Sequence, residues 1–450
     1  MTTGDTGVIV LAAGRGTRMR SALPKVLHAV CGVPMAAHIV DSARQLQPAR
    51  LAVVTGYGRD LVEAALQDAG VIFVEQPELL GTADAVGRCQ VALEGCGTVV
   101  VLNGDTPLVG PGLLQELVAG RGDAPFSFAS CLVEDPGRLG RVLRDGDGRV
   151  CGIVEAAEYE GSQGPAEVNA GQYCFDSGWL WAHLGEVPVS AKGEYYLTHL
   201  VALAYERGTP AVAVGCTPLE ALGVDDRLRL AEAEREMRRR ILERHMLAGV
   251  TVTDPQTTYI DATVRLAEDV TILPNCHLLG ATVVDTNVTI GPGSILRDAR
   301  IGEGTVVQQS VIEASTIGKD VRIGPFAHVR GGAMIGDECE LGNYAEVKNS
   351  SLGRGVKMHH FSYLGDADVG EYANIAAGII TCNFDGVSKH RTVIGAYAFV
   401  GSDTMLVAPV TVGEGATTGA GSVVTKDVPP GAKAVGVPAR VIGKARQARD

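Results

Sequence analysis

A glycine-rich segment near the start of the chain has the composition of a phosphate-binding loop. It reads LAAGRGTRMRSALPKVL, covers residues 11–27 and overlaps the end of an apolar run that is predicted to be a strand. Small residues let backbone N–H groups close around a triphosphate, and the next helix would add its positive end. Arg18 and Lys25 could neutralise the phosphates. The segment lacks the GxxxxGK[ST] pattern, so an ordinary strand-to-helix loop is an equal alternative.

An aspartate stands at the end of a second apolar run. Asp105 lies in LNGDTPL, residues 102–108, at the end of the run TVVVLNGD. Open α/β sheets bind ligands in the crevice beyond the carboxyl ends of their strands, where a carboxylate suits a hard cation such as Mg2+. The alternative is an aspartate that caps a turn.

A histidine in the second half could accept a proton. His360 lies in MHHFSYLGDADVG, residues 358–370, with Tyr363 three positions further on. Imidazole has an unperturbed pKa of about 6.5, which suits proton transfer near neutral pH. Taken alone, these residues favour the alternative, a structural histidine at a corner of the fold.

The elements that must position these residues fall into two parts. Up to residue 225, apolar runs such as VIVLAAG, LAVVTG, TVVVLNGD and APFSFASCLV alternate with helical patterns such as PMAAHIVDSARQL and RDLVEAALQDA. This alternation predicts an α/β domain, residues 1–225, with a mostly parallel sheet. Residues 226–247 lack Gly and Pro and are rich in helix formers, so we predict one long helix that joins two domains.

In the predicted second domain, residues 248–450, aliphatic residues recur every six positions. The repeat is clear at Ile323, Val329, Ile335, Leu341 and Val347. An amphipathic helix would repeat near 3.6 residues and a strand near 2. Six residues make one short extended side and a corner, so stacked coils would align the aliphatic residues inside. The sequence therefore predicts an all-β parallel β-helix, with a loop ejected at IITCNFDGVSKHRTV.

Composition argues against several classes of function. The 450-residue chain has a net charge of −13 and no basic run interleaved with aromatic residues, so nucleic acid is not an expected partner. No apolar run is long enough to span a membrane, and the N-terminus lacks a signal-peptide pattern, so we expect a cytoplasmic protein. The ten cysteines include no CxxC pair, so neither disulfides nor zinc are expected.

Taken together, motifs of the first half resemble those of the sugar-1-phosphate nucleotidyltransferases. LAAGRGTRM with LPK, QPELLGTADA, NGD, GRLGRV, GIVEA, EVNAG and GVDDR occur in this order. The resemblance implies a Rossmann-like fold and attack by a sugar 1-phosphate on the α-phosphorus of a nucleoside triphosphate, with release of pyrophosphate. It implies nucleotide or sugar contacts for Leu11, Ala12, Ala13, Gly14, Arg18, Lys25, Gln76, Gly81, Thr82, Asn103, Gly104, Gly140, Glu155 and Asn169.

The same resemblance implies more specific roles. Gln76, Gly81 and Thr82 would read the base, which is expected to be uracil, and Gly140, Glu155 and Asn169 would hold the sugar. Asp105 and Asp225 would bind Mg2+. Three positions depart from the family pattern: Asp225 replaces a frequent Asn, Asn103 a frequent Tyr or Ser, and Asp84 a frequent His. The extra carboxylate makes the metal site more negative, and Asp84 receives no role.

The second half resembles the hexapeptide-repeat acyltransferases, whose β-helix is left-handed. MHHFSYLGDADVG and TCNFDG carry the resemblance, which implies transfer of an acetyl group to the free amine of an amino sugar. A base must accept the amine proton, and the motif HxxYLGD selects His360 rather than His359. The implied sugar-phosphate contacts are Arg330, Lys348, Tyr363 and Asn374, and those of acetyl-CoA are Ala377, Asn383, Phe384, Ser402, Ala420 and Val437. Phe384 replaces a Tyr of the family, and AAGII replaces GAGTI.

Both resemblances in one chain imply a bifunctional enzyme. Acetyl-CoA would acetylate glucosamine-1-phosphate, and UTP with Mg2+ would convert the product, N-acetylglucosamine-1-phosphate, to UDP-N-acetylglucosamine, a precursor of bacterial envelope polymers. The family also implies a homotrimer with the acetyl site between subunits. Two alternatives stay open: a nucleotidyltransferase whose β-helix serves only assembly or regulation, and a non-catalytic subunit that binds sugar nucleotides.

Overall fold

The computed structural model describes residues 5–161 and 164–445. The chain divides into two compact units, Met1–Met237 and Arg238–Asp450. The point of division lies within a long helix, Arg227–Leu247, which coincides closely with the helix that the sequence predicts. Asp226 precedes this helix, and its Oδ1 accepts hydrogen bonds from the backbone N–H groups of Leu228 and Arg229, both 3.0 Å long. None of the described helices has the length and apolar composition of a membrane-spanning segment.

The first unit contains strands and helices in alternation. Its strands are β1 (Thr6–Leu11), β2 (Ala29–Val30), β3 (Val33–Pro34), β4 (Arg50–Thr55), β5 (Ile72–Glu75), β6 (Thr98–Asn103), β7 (Phe126–Val133), β8 (Arg141–Arg144), β9 (Val150–Val154), β10 (Ala166–Asp176) and β11 (Val212–Gly215). The helices are α1 (Met35–Arg44), α2 (Arg59–Leu66), α3 (Thr82–Gly87), α4 (Pro111–Gly120), α5 (Ser177–His183), α6 (His199–Glu206) and α7 (Arg227–Leu247). Short 3-10 helices cover Thr17–Met19, Lys25–Leu27, Gln67–Ala69 and Leu184–Glu186.

The main sheet of this unit is mostly parallel, as predicted. Its strand order is β11-β7-β10-β6-β1-β4-β5, with β8 and β9 attached at β10. Only β10 runs antiparallel to its neighbours on this path, β6 and β7. The apolar runs of the sequence do not reveal β10, because its first half is only partly buried and alternates with polar residues.

The central strands bury side chains on both faces of the sheet. Ile9 and Val101 belong to one core, together with residues of α5 and α6. Val8 and Leu102 belong to the other, together with residues of α1 and α4. This two-sided burial explains the continuous apolar runs. Because Leu11 is in register with Asn103, β1 and β6 end at the same edge of the sheet, and the loops that follow them meet there.

The second unit is a parallel β-helix whose short strands fall into three sheets. The first sheet contains Thr251–Val252, Thr271–Ile272, Thr289–Gly291, Val306–Gln308, Arg322–Ile323, Glu340–Asn343, Lys357–His360, Asn374–Ile375, Phe399–Val400, Thr417–Thr418, Ala432–Gly436 and Ala439–Lys444. The second contains Tyr259–Ile260, His277–Leu279, Ile295–Arg297, Val311–Glu313, His328–Arg330, Glu346–Lys348, Tyr363–Gly365, Ile380–Cys382, Met405–Val407 and Val423–Val424. The third contains Arg265–Leu266, Val283–Val284, Arg300–Ile301, Thr316–Ile317, Met334–Ile335, Ser351–Leu352, Ala367–Val369, Thr392–Ile394 and Val410–Val412.

The six-residue repeat forms the interior of this unit, as predicted. One column of paired residues runs through successive coils of the first sheet: Ile323, Leu341, Met358, Ile375 and Val400. All five side chains are at most 2% exposed. Each coil therefore buries its aliphatic residues against the coils before and after it.

Gly336, which follows the aliphatic Ile335, lies where two neighbouring coils approach closely. Gly336 does not adopt a left-handed conformation; a Cβ there would lie 2.8 Å from the backbone of Gly353 in the next coil. The left-handed backbone falls instead on corner residues such as Asp320 and Glu338. Glycine is thus required at position 336 because neighbouring coils approach closely.

Removal of one interior side chain should destabilise the β-helix. Leu341 is 1% exposed, so Leu341→Ala should lower the free energy of unfolding by about 2–5 kcal/mol through lost burial and a residual cavity. Denaturant titration followed by circular dichroism measures this loss. Met334→Ala is the control, since Met334 is 62% exposed on the third sheet. Equal stability of the two variants would contradict the interior position of the repeat.

Candidate functional site

A cleft of about 440 Å³ opens where β1 and β6 end. Most residues predicted to contact the nucleotide line it, together with the predicted metal ligand Asp105: Leu11, Ala13, Gly14, Lys25, Gln76, Gly81, Thr82 and Asn103. Ala12, Arg18 and Gly104 do not belong to this lining. Ala12 is buried, and its backbone N–H donates to the carbonyl oxygen of Val54 over 2.9 Å, which fixes the start of the glycine-rich loop.

Three polar residues of the cleft were missed by sequence reasoning. Arg15, Glu194 and Tyr196 line it together with the predicted residues. Arg15 follows Gly14 within the glycine-rich segment, so its position was a usable signal. Glu194 and Tyr196 come from a segment without a recognisable motif. This segment is held at the cleft because the backbone N–H of Leu197 donates to Thr82 Oγ1 over 2.9 Å.

A cluster of opposite charges lies at the edge of the cleft. Lys25 Nζ donates to Asp105 Oδ2 and, over 3.1 Å, to Asp225 Oδ1. The other oxygen of Asp225 accepts from Arg18 Nη1 at 2.8 Å. Burial lowers the pKa of Lys25, but the charges and hydrogen bonds of the two carboxylates outweigh burial and raise it above its ordinary value. Lys25 is therefore protonated and paired.

The two carboxylates fit a hard divalent cation. Asp105 and Asp225 contact one and the same nitrogen atom, so their oxygens converge on a common point. Their loops are tied together, since the backbone N–H of Val224 donates to the carbonyl oxygen of Asp105 over 2.9 Å. Within the described residues, no group of three or more His, Cys, Asp or Glu side chains could hold a metal. Two carboxylates nevertheless suffice for Mg2+ when substrate phosphates and water complete its shell.

The three predicted sugar contacts lie next to one another. The backbone N–H of Asn169 donates to the carbonyl oxygen of Gly140 over 2.9 Å, and a Cβ at Gly140 would lie 3.7 Å from Glu155 Oε2. Glu155 Oε1 accepts from Thr198 Oγ1 at 2.8 Å. Thr198 directly follows Leu197, the residue that bonds Thr82 in the cleft. The predicted sugar contact Glu155 and base contact Thr82 are therefore connected by two hydrogen bonds to the consecutive residues Thr198 and Leu197.

In the second unit, the predicted phosphate ligands share one sheet. In the second sheet, Arg330 is in register with Lys348 of the next strand, and Lys348 is in register with Gly365 of the strand after that. The two cations therefore stand one coil apart. Tyr363 begins the next strand and is in register with Glu346. Arg330 Nη2 donates to Glu346 Oε1 at 2.5 Å, which holds the guanidinium along the sheet surface.

A third cation, missed by sequence reasoning, lies beside these two. Contact with Lys389 and its charge lower the pKa of Lys348, and the charge of Arg330 lowers it further. Lys389 belongs to the loop that the sequence predicts to be ejected from the coil. Asp366 lies close to both lysines. Burial raises the pKa of Asp366, but hydrogen bonds from Asn349 and Asn383 and the charges of Lys389 and Lys348 outweigh burial and lower the pKa below its ordinary value. Three cations thus share two carboxylates, Glu346 and Asp366, and the binding of a phosphate by these cations stays a prediction.

His360 is exposed at the end of strand Lys357–His360. Its ring centroid lies 6.2 Å from that of His359, whose Nε2 is 2.8 Å from Glu340 Oε2. Ser362 Oγ lies 2.8 Å from the carbonyl oxygen of His360 and 2.9 Å from that of Ala376. These contacts place His360 beside the coil that carries Ala377, and its role as a base stays a prediction.

The predicted acetyl-CoA contacts fall into two places and a terminal turn. Ala377, Ser402 and Ala420 lie at stacked corners: the N–H of Asp403 donates to Ala377 and that of Gly421 to Ser402, both over 2.8 Å. Asn383 is 8% exposed and donates to Asp366 Oδ2 at 2.5 Å. The neighbouring Phe384 is 59% exposed on the ejected loop, and Val437, 72% exposed, follows strand Ala432–Gly436. Asn374, the predicted sugar contact, is half-buried on the first sheet.

Comparisons with known proteins cover both units. The model of the MobA-like NTP transferase domain matches residues 8–245, that of the GMPPB C-terminal domain residues 256–351, and that of the bacterial transferase hexapeptide (six repeats) residues 391–426. The bifunctional protein GlmU of Streptomyces avermitilis is 44% identical over 439 residues, covering 95% of this chain and 91% of that protein. The GlmU proteins of a Geobacillus species and Kineococcus radiotolerans are 44% and 45% identical, covering 95% and 96% of this chain and 94% and 89% of theirs. The predicted fold class is confirmed, with repeats consistent with a left-handed β-helix.

The contact between Lys348 and Lys389 predicts a measurable change in the titration of Lys348. A lowered pKa means that Lys348 loses its proton at a lower pH than an ordinary lysine. Lys389→Ala removes the main cause, so Lys348 should then titrate at higher pH. Nuclear magnetic resonance of reductively methylated lysines follows the titration of Lys348 in the wild-type protein and in the variant. Lys426→Ala, which removes an exposed lysine elsewhere on the β-helix, should leave Lys348 unchanged; an unshifted Lys348 in the Lys389 variant would contradict the contact.

Proposed function

The chain belongs to the family of bifunctional GlmU proteins, and from this premise we propose how its two units divide two transfer reactions. The enzyme is both a uridylyltransferase and an acetyltransferase. The second unit acetylates glucosamine-1-phosphate with acetyl-CoA, and the first unit joins the product to the uridylyl group of UTP. Identity of 42–45% extends over nearly the whole chain and so covers both units.

In the first unit, the cleft binds UTP and N-acetylglucosamine-1-phosphate side by side. The base contacts Gln76, Gly81 and Thr82, and the triphosphate follows the loop from Leu11 to Gly14, with Arg15 and Lys25 as counter-charges. Gly140, Glu155 and Asn169 orient the sugar so that its phosphate oxygen faces the α-phosphorus. No residue needs to form a covalent bond, because positioning and charge neutralisation drive phosphoryl chemistry.

A magnesium ion completes this site. Asp105 and Asp225 would hold it, and it would neutralise charge on the phosphates that react. The observation that carries the proposal is the convergence of both carboxylates on the single Lys25 ammonium group, at the edge of the cleft. When phosphates enter, Lys25 has a second class of anion to pair with, so it need no longer occupy the oxygens of both carboxylates, which would then be available to hold a cation.

In the second unit, cations bind the sugar phosphate and an imidazole takes the amine proton. Arg330, Lys348 and Lys389 contact the phosphate together with Tyr363, and Asn374 contacts the sugar. His360 accepts the proton as the amine attacks the thioester carbonyl, and coenzyme A leaves as the thiol. Acetyl-CoA lies along the stacked corners at Ala377, Ser402 and Ala420, with further contacts from Asn383, Phe384 and Val437.

The exposure of His360 favours a site that a second copy completes. A base surrounded by water in the single chain gains a defined partner only when another surface covers it. We therefore infer a homotrimer in which the ejected loop around Asn383 and Phe384 bridges neighbouring subunits. Phe384 is 59% exposed in the single chain, as expected for a residue that such an interface buries. The substrates are metabolites of the cytoplasm, where we place the enzyme.

Loss of the imidazole should separate the two activities. His360→Ala should lower acetyl transfer by about 10²–10⁴-fold, the usual contribution of a general base, and spare uridylyl transfer. His359→Ala is the matched control, because its neighbouring ring is already paired with Glu340. Both rates are measured on one preparation, by thiol release and by pyrophosphate release. Equal loss of both activities, or equal loss in the two variants, would rule out His360 as the base.

Loss of the predicted metal ligand Asp105 should lower uridylyl transfer and spare acetyl transfer. Loss of a residue that only supports a metal ligand already lowers metal affinity or activity by about 10–100-fold. Loss of the ligand itself in Asp105→Ala should therefore lower Mg2+-dependent uridylyl transfer by about 100-fold or more and leave acetyl transfer intact. Asp123→Ala, at an exposed carboxylate after α4, controls for loss of negative charge. Uridylyl transfer that keeps its rate and its Mg2+ dependence in the Asp105 variant would remove Asp105 from the metal site.

A further inference from the structure

The side-chain amide of Gln76 is held in one orientation by two hydrogen-bond acceptors, the carbonyl oxygen of Gly81 and the carboxylate of Asp84. Gln76 lines the cleft and is 4% exposed. Its Nε2 donates to the carbonyl oxygen of Gly81 over 3.0 Å and to Asp84 Oδ2 over 2.8 Å. Both partners can only accept hydrogen bonds, so the NH2 group must face them and cannot exchange places with the oxygen.

Asp84 is itself fixed from the far side. Its two oxygens accept from Arg88 Nε and Nη2 over 3.0 and 3.1 Å, a two-pronged pair within α3 and the turn that follows. Asp84 does not line the nucleotide cleft; it belongs to a separate groove behind α3. The pair can therefore act on a nucleotide only through Gln76.

We propose that Asp84, held by Arg88, is a positioning residue that turns Gln76 into a hydrogen-bond acceptor and thereby selects a pyrimidine with an imide N–H over cytosine. The inference rests on the proposed function, in which this cleft binds a nucleoside triphosphate. Both N–H bonds of the amide are already used within the protein, by Gly81 and Asp84, so only Oε1 can meet the base. N3 of uracil or thymine carries a hydrogen and suits this oxygen, whereas N3 of cytosine carries a lone pair and opposes it.

Asp84 is one of the two acceptors that fix the amide, and the carbonyl oxygen of Gly81 is the other. A carboxylate has no hydrogen to donate and so favours one orientation of Gln76. An asparagine of the same shape can donate its own NH2 to Gln76 Oε1, so in Asp84→Asn only the carbonyl oxygen of Gly81 still opposes the turned amide. The turned amide presents N–H to the cleft and suits cytosine, and it becomes less unfavourable in this variant.

The test compares UTP with CTP in Asp84→Asn. The ratio of kcat/KM for UTP to that for CTP should fall by about tenfold or more, because a mispaired buried polar group is what gives such sites their discrimination. Arg88→Gln keeps the carboxylate but removes its anchor, so the ratio should move in the same direction by a smaller factor. The control is Asp41→Asn, which breaks an exposed pair with Arg44 in α1; neither residue lines the cleft, so the ratio should stay unchanged.

The outcomes separate this inference from the proposed function. An unchanged UTP-to-CTP ratio in both the Asp84 and the Arg88 variants, even with a lower rate for both nucleotides, would overturn the positioning role. Activity of the wild-type enzyme with neither nucleotide would instead overturn the proposed function. Acetyl transfer by the same preparations, together with their melting temperatures, shows whether each variant is folded, and the Arg88 variant decides the matter if the Asp84 variant is not.

Discussion

Register between parallel strands is the constraint on which both sites depend. In the first unit, β1 pairs with β6 so that Leu11 lies opposite Asn103, and the loops that follow them carry Lys25 and Asp105 to one edge. In the second unit, the same kind of pairing stacks Arg330 on Lys348. Parallel strands point their carboxyl ends the same way, so residues far apart in sequence meet without any direct connection. A shift of register by one residue would disperse both clusters.

The two clusters balance their charges differently. In the first, Lys25 and Arg18 pair with Asp105 and Asp225, so two cations face two carboxylates and the cluster is neutral as a whole. In the second, Lys389 and Arg330 oppose the protonation of Lys348 and lower its pKa, while Glu346 and Asp366 lie beside them. Three cations thus face two carboxylates. The second cluster is the one in which a bound anion would relieve the repulsion between cations.

Sequence patterns predicted the features that depend on local periodicity or on contiguous motifs. The interior repeat through Leu341, the long helix after Asp226 and the glycine-rich loop all belong to this class. Strand β10 escaped because half of it faces a partly exposed surface, and Lys389 because its loop has no period. Asp84 escaped for another reason: its partner Gln76 is eight positions away on a different element, and only the folded chain brings the two together.

Asp225, which departs from the family pattern, shows how a local change can be compensated. A carboxylate in place of an amide adds a negative charge beside Asp105, and two such charges repel one another. Here one oxygen of Asp225 accepts from Lys25 at 3.1 Å and the other from Arg18 at 2.8 Å. Arg18 therefore compensates the predicted metal ligand Asp225, and it lies outside the cleft lining. The two carboxylates stay close together because two cationic side chains of the glycine-rich segment, Arg18 and Lys25, hold them there.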